Sequence, residues 1–365
     1  MSNKILSWLS DAISESEKAK GVLPVAEIDA RITALKEVFG APTPTQLKEA
    51  MTTAHFSTYF ATVLDREFIK NYEVQQGTWK NYTYPDESPD LRNVERYRME
   101  TYLPLTRRRE KAESKAGYLY QDRPFYYAPD EYSGQMDISW RTLLSDDLGK
   151  IKSELNLLSN SAVAFEDQFV SAAYDNATTQ AGLVALGAAY AGTGRLTSAN
   201  LAIGINAMMS RTTPVAALPM NVRRIFLVIP PILKLQADTI LSSALMAGVA
   251  TNDKNVLPGY IAGVFTDPYI ATAAPNVPWY LFADPNAIRA VSVLRVAGAP
   301  GPITYMKEPD IRIMSGSAPA NFALGSFATG DIEYAVSDFI GVWGNATFVG
   351  VTDVRGIYYS SGTTP

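Results

Sequence analysis

The chain of 365 residues is 47% hydrophobic and 19% charged, so it is long enough to bury a core and lies far from the polar composition that keeps proteins disordered. A net charge of −5 argues against gripping nucleic acid by its phosphates as the main activity, because that needs a basic excess; it leaves room for enclosing DNA without adhering to it. The absence of cysteine removes disulfides, thiolate metal sites and cysteine nucleophiles, and fits a reducing compartment.

The first stretch, "MSNKILSWLSDAISESEKAK", places Ile5, Leu6, Trp8, Leu9 and Ile13 at helical spacing and reads as an amphipathic helix rather than a signal peptide. Ile28, Ile32, Leu35 and Val38 predict a second helix, and Pro42 and Pro44 break the chain before a third helical stretch, "TQLKEAMTTAHFSTYFATVLDREFIKNYE". Residues 1 to about 75 are therefore expected to be mostly helical. From about residue 76 to 137 aromatic residues alternate with turn formers, as in "TWKNYTYPDESPD" and "QDRPFYYAPDEYSG", and aliphatic residues are few. Such a segment is extended, builds no core of its own and must lie against something else. It contains the strongest charge run, "RRREKAESK", with Arg107, Arg108, Arg109, Lys111 and Lys115 against Glu110 and Glu113. That run reads either as a solvated loop tip or as a docking element for an acidic protein surface; interspersed acids make nucleic-acid contact the weaker reading.

The next stretch, "ISWRTLLSDDLGKIKSELNLLSNSAVAFEDQFVSAAY", begins as a strand and is capped at Ser145, Asp146 or Asp147. It then runs for roughly 25 residues as one helix. Leu148, Ile151, Leu155, Leu158, Ala162, Phe165 and Phe169 make a continuous apolar stripe along it. Further on, "ANLAIGINAMMS" reads as helix, "RIFLVIP" as a buried strand closed by Pro230 and Pro231, "ILKLQADTILSSALM" as helix and "VPWYLFAD" as a strand ended by Asp284-Pro285. The final stretch returns to strand texture in "GPITYMKE", "DIRIMSG", "GDIEYAVSDFIGVWG" and "TFVGVTDVRGIYYSSG". No apolar window is long enough to cross a bilayer, which takes roughly 20 residues, so a soluble protein with no membrane partner is expected.

Catalytic equipment is sparse. The single histidine, His55, sits inside an apolar helical stretch with no nucleophile elbow anywhere in the chain, and is read as a helix-face residue rather than a base. One histidine and no cysteine argue against a transition-metal site. Asp146 with Asp147, or Glu166 with Asp167, are candidates for an all-oxygen Ca²⁺ or Mg²⁺ site, set against the plainer reading of solvated helix acids. "GTGRLTSAN" lacks the Lys-Ser/Thr end of a phosphate loop and reads as a turn into a helix. No enzymatic activity, cofactor or metal is expected; the competing reading, a hydrolase or transferase built on residues 180–300, lacks a convergent polar set.

Three stretches together resemble the major capsid proteins of tailed bacteriophages with the Hong Kong 97 fold, in particular the Mu-type major head protein branch. They are "ISWRTLLSDDLGKIKSELNLLSNSAVAFEDQFV", "NVRRIFLVIPPILKLQADTILSS", and "VPWYLFADPNAIRAVSVLRVAGAPGPITY" followed by "DIEYAVSDFIGVWGNATFVGVTDVRGIYYSSG". The resemblance implies an α+β fold in which 1–92 is a helical N-terminal arm, 93–137 is an extended segment that includes the E-loop, 138–182 is a peripheral domain with the spine helix, 183–299 an axial domain, and 300–365 peripheral strands with the C-terminal segment. It further implies a non-enzymatic virion protein, assembled in the host bacterial cytoplasm from copies of itself in pentamers and hexamers. Portal, scaffolding and cement or decoration proteins would be its partners, and double-stranded DNA would be enclosed without sequence-specific binding. An encapsulin-like nanocompartment shell is the alternative. The expected assembly contact brings Arg107, Arg108, Arg109, Lys111, Lys115, Tyr118 and Tyr120 of the E-loop onto an acidic face of the adjacent subunit, formed by Asp146, Asp147, Glu154, Glu166 and Asp167. Lys111 or Lys115 with Asn345 would be the partners of a covalent cross-link of the kind some members form.

Overall fold

A computed structural model describes residues 68–74, 77–102, 107–108, 110–111, 113, 118–138, 148–213, 219–220, 222–245, 254–272, 276–307, 332–345 and 347–364. After helical residues 68–74 come strands β1 (Tyr84–Ser88), β2 (Val94–Tyr102), β3 (Tyr118–Tyr127) and β4 (Asp130–Ile138). The long helix α1 (Leu148–Tyr174), helix α2 (Ala177–Ala185), strand β5 (Ala191–Gly194) and helix α3 (Ser198–Met209) follow. Then come β6 (Ile225–Ile229), α4 (Lys234–Ser242), β7 (Ile261–Thr266), β8 (Trp279–Ala283), β9 (Ser292–Val296), β10 (Ile303–Met306), β11 (Ile332–Val342) and β12 (Ile357–Thr364). These elements fall into two compact units, each assembled from three separate stretches of chain. One takes its residues from Met1–Gln76, Tyr132–Val163 and Pro302–Asp338, the other from Gly77–Glu131, Ala164–Gly301 and Phe339–Pro365. The chain of α1 and that of β11 each begin in the first unit and end in the second.

The second unit is organised on a five-stranded mixed sheet in the order β5-β12-β8-β6-β7. Strands β6 and β8 lie inside it and are buried at every residue, which is why "IFLVI" and "WYLFA" read as unbroken apolar runs instead of alternating ones. Alternate residues serve opposite faces. Leu227, Ile229, Trp279 and Leu281 join Leu201, Ile205 and Met208 of α3 and Ala237 and Ile240 of α4 in one apolar core. On the other face Phe282 meets Tyr82 and Tyr174 at ring separations of 5.1 and 5.2 Å. The strand ends follow the punctuation in the sequence. Pro230 stops β6, and the Asp284 side chain accepts the Asn286 N–H to turn the chain after β8. The stretch "GTGRLTSAN" departs from expectation, since Gly192–Gly194 pair in β5 before Thr197 caps α3 through its hydroxyl. A second group of strands in this unit pairs β1 parallel to β9, and β9 antiparallel to the end of β11, with Ile340 opposite Arg295.

In the first unit β10 pairs antiparallel with the start of β11, from Ile303 opposite Ser337 to Met306 opposite Tyr334. Its core gathers Phe68, Tyr72, Val163 and Val336, with Leu158 and Ala162 packed against them.

Helix α1 spans 27 residues, close to the length expected, but its buried line is not the expected stripe. Among the described side chains Ser159, Val163, Glu166, Val170, Ser171, Ala173 and Tyr174 are buried, while Leu158, Ala162, Phe165 and Phe169 are half-buried and Leu157 is 65% exposed. The helix is thus turned by about one residue, roughly 100°, from the orientation that hydrophobicity alone selects. A serine and a glutamate lie on the inward line, and both find polar partners there.

Candidate assembly surface

Strands β2 and β3 form an antiparallel ribbon of their own, from Val94 opposite Tyr127 at the root to Tyr102 opposite Tyr118 at the far end. The register slips between Tyr97 and Met99, beside Pro124, whose ring nitrogen has no hydrogen to give the ladder. No third strand joins this ribbon among the described residues. Both outer edges therefore keep unpaired backbone donors and acceptors, and an isolated two-stranded ribbon is marginal in water. At the tip Arg107, Arg108, Glu110, Lys111 and Glu113 are exposed, and Lys111 takes a left-handed backbone with φ 62°, as in a tight turn. Tyr118 and Tyr120 are placed at register positions opposite Tyr102 and Glu100. Arg109 and Lys115 lie outside the described residues.

The acidic face anticipated for the partner side is only partly available. Asp146 and Asp147 lie outside the described residues, as does His55, and the Glu154 side chain is likewise not described. Glu166 is a correction: its side chain is 2% exposed and its Oε1 accepts from Arg295 Nη2 at 2.6 Å, so it spends its charge inside its own subunit. A carboxylate this buried is retained only because the guanidinium is there to meet it. Asp167, the next residue, is half-buried; burial, then the Asp267 and Glu166 carboxylates, push its carboxyl up to about 6, while Lys80 draws it down.

Three hydroxyls converge nearby. Tyr82, Ser171 and Tyr174 all donate to the Oδ2 of Asp267, a buried residue just after β7, and Asp267 Oδ1 accepts the Tyr269 N–H. Burial raises both tyrosine phenols well above their ordinary range, so they stay neutral donors. A second carboxylate, Asp175 at the end of α1, accepts from Gln180 and Tyr280 through Oδ1 and from the Ala271 N–H through Oδ2. Arg211 is a buried guanidinium that donates to the carbonyls of Ala189, Val354 and Arg355 and lies 4.3 Å over the Tyr190 ring. Desolvation lowers its pKa to about 10, leaving it a cation at neutral pH. Sequence reading missed all three centres. Their only local signal is a polar residue at a strand or helix end, while their partners lie up to 185 residues away.

Among the described residues of the second unit several apolar side chains are exposed. Ile232 is 70% and Leu235 80% exposed at the start of α4, and Leu245, Val256 and Tyr260 on adjoining elements are also exposed. Among the described residues no group of histidine and acidic side chains is arranged to hold a metal ion, and no helix is long and apolar enough to cross a membrane. The Asn345 side chain is engaged in a turn, accepting the N–H groups of Thr347 and Phe348. What the arrangement offers chemically is surface: a two-stranded ribbon with a charged tip, and exposed apolar side chains on the second unit.

The family model described as phage capsid protein matches residues 123–359. No curated protein matches the chain. Among solved structures, the virus-like particle from Pyrococcus furiosus is 10% identical over 81% of this chain and 97% of that one, with a TM-score of 0.42. The procapsid of bacteriophage JBD30 is 11% identical over 85% of this chain and 76% of that one, with a TM-score of 0.40. The capsid of Myoviridae phage XM1 is 11% identical over 78% of this chain and 91% of that one, with a TM-score of 0.45.

Proposed function

Because the chain belongs to the phage capsid protein family, a family of structural proteins, we propose that it is the major head protein of a tailed phage, with the Hong Kong 97 fold and of the Mu-type branch. In this reading identical copies close into an icosahedral shell of pentamers and hexamers around double-stranded DNA, with portal and scaffolding proteins as further partners. The family match over residues 123–359 carries the proposal, because it takes in α1, the strands β5, β6, β7 and β8 of the main sheet of the second unit and the start of its β12. The β2–β3 ribbon serves as the E-loop, α1 as the spine helix and the β5–β8 region as the core of the axial domain. The ribbon supports the assignment physically: two strands with both edges open gain most by lying on another surface, and in a closed shell that surface is the next copy. The tip cations Arg107, Arg108, Arg109, Lys111 and Lys115 then meet acids of the neighbour, among which Asp146, Asp147 and Glu154 remain candidates. Each exposed ion pair is worth only about 0–1 kcal/mol, which lets misplaced subunits leave, while repetition over many interfaces stabilises the finished shell.

The test is expression of the chain alone, followed by electron microscopy and analysis of the contents of any particles, repeated in the presence of its phage. Closed shells, and DNA-filled heads in infected cells, are expected. A persistent monomer under all conditions overturns the assembly reading. Particles filled with cellular protein and never with DNA would replace it with a nanocompartment shell.

A further inference from the structure

Strand β1 stands at the end of its sheet, paired with β9 on one side and with no strand on the other among the described residues. Two bonds fix which of its backbone groups face outward. The Tyr84 N–H donates to the Val291 carbonyl at 2.9 Å, and the Ser88 carbonyl accepts the Ala297 N–H at 2.7 Å. In a parallel pair alternate residues turn their N–H and C=O to the partner strand, so Tyr84, Asp86 and Ser88 serve β9 while Pro85 and Glu87 face away from it. Neither outward residue has an N–H to offer a further strand. Pro85 carries none, and the Glu87 N–H is taken at 3.0 Å by the Oδ1 of its own neighbour Asp86. The flanking positions in the same alternation complete the pattern: Thr83 gives its N–H to the Trp79 carbonyl at 3.1 Å, and Pro89 again has none to give. Pro85, Glu87 and Pro89 are exposed, so this edge faces solvent. An added strand needs donors and acceptors in alternation, and along this edge only acceptors remain.

We propose that Pro85 and Asp86 guard β1 against edge-to-edge pairing with a second copy of this chain. Proline removes one outward donor covalently, and the Asp86 carboxylate occupies the other. When two such edges meet, the exposed Glu87 side chains add like-charge repulsion. A second copy is the strand this edge meets most often wherever identical subunits are held at high local concentration. The guard leaves self-association to surfaces other than this edge. Its use in directing shell assembly rests on the capsid reading, whereas the closed edge is a property of the single subunit.

Pro85→Val combined with Asp86→Ala restores both donors, and a β-branched valine suits a strand. In the full-length chain this double variant is expected to form thioflavin-binding aggregates at about one tenth of the native threshold concentration, with an unchanged urea midpoint in its soluble fraction. Electron microscopy separates such aggregates from closed shells. Pro85→Val with Asp86→Asn keeps an Oδ1 for the Glu87 N–H, and its threshold should fall between the two. Adding Glu87→Pro to the Pro85→Val, Asp86→Ala chain removes that N–H again and should raise the threshold towards the native value; aggregation caused by a damaged fold would not respond in this way. A double variant as soluble as the native chain, an Asn variant as prone to aggregate as the Ala one, or no recovery with Glu87→Pro overturns the guard. Such a failure leaves the capsid reading standing, and a native chain that never forms shells leaves the guarded edge standing.

Discussion

Arg295 Nη2 donates to Glu166 Oε1 at 2.6 Å, tying β9 to α1 through side chains that are 12% and 2% exposed. Each charge is acceptable there only because of the other. Removing either partner, as in Glu166→Ala or Arg295→Ala, is expected to cost about 3–5 kcal/mol, whereas replacing both together with Leu and Met should cost far less. Urea unfolding of the three variants checks this; equal losses in the single and double variants would show that the pair is not coupled.

Asp267 depends on its hydroxyl donors. Tyr174→Phe removes one of the three and keeps the ring contacts with Tyr280 and Phe282, so a loss of about 1–2 kcal/mol is expected. Asp267→Ala should be worse, since it leaves buried hydroxyls of Tyr82, Ser171 and Tyr174 to find other acceptors. Denaturation midpoints at fixed pH separate the two variants.

Gly350 packs directly against α1, and a Cβ there would collide with the backbone and side chain of Ala173. Backbone cannot rotate aside, so Gly350→Ala is expected to destabilise by about 2–3 kcal/mol. Gly134 in β4 has open space around it, and Gly134→Ala should stay within about 0.5 kcal/mol of the native chain. The contrast, measured by thermal unfolding, discriminates packing from a general intolerance of alanine.

Reversing the tip charges by changing Arg107, Arg108 and Arg109 to Glu should leave subunit stability unchanged, since Arg107 and Arg108 are exposed on the ribbon tip. Shell formation should be lost, because the same change turns attraction to an acidic neighbour into repulsion. Sedimentation and electron microscopy read the outcome, and normal particles would sink the assignment of this tip to a subunit contact.

The elements that could be read along the chain are those whose burial is complete on both faces or whose ends are marked by local chemistry. "IFLVI" before Pro230 and "WYLFA" before Asp284-Pro285 are strands for reasons contained in a few neighbouring residues, and α3 is capped by its own Thr197. Helix α4 was expected to continue to Met246 but stops at Ser242, where the Asn255 carboxamide takes the carbonyls of Ile240 and Ser243. That ending comes from a residue 15 positions away and leaves no trace in the helix's own composition. The same holds for the face of α1. Its apolar stripe pointed to Leu158, Ala162, Phe165 and Phe169, yet the fold buries Ser159, Val163, Glu166 and Val170. Hydrophobic spacing measures only what a side chain loses to water. Whether a glutamate goes inward depends on a partner such as Arg295, 129 residues further on, and only the folded chain brings the two together.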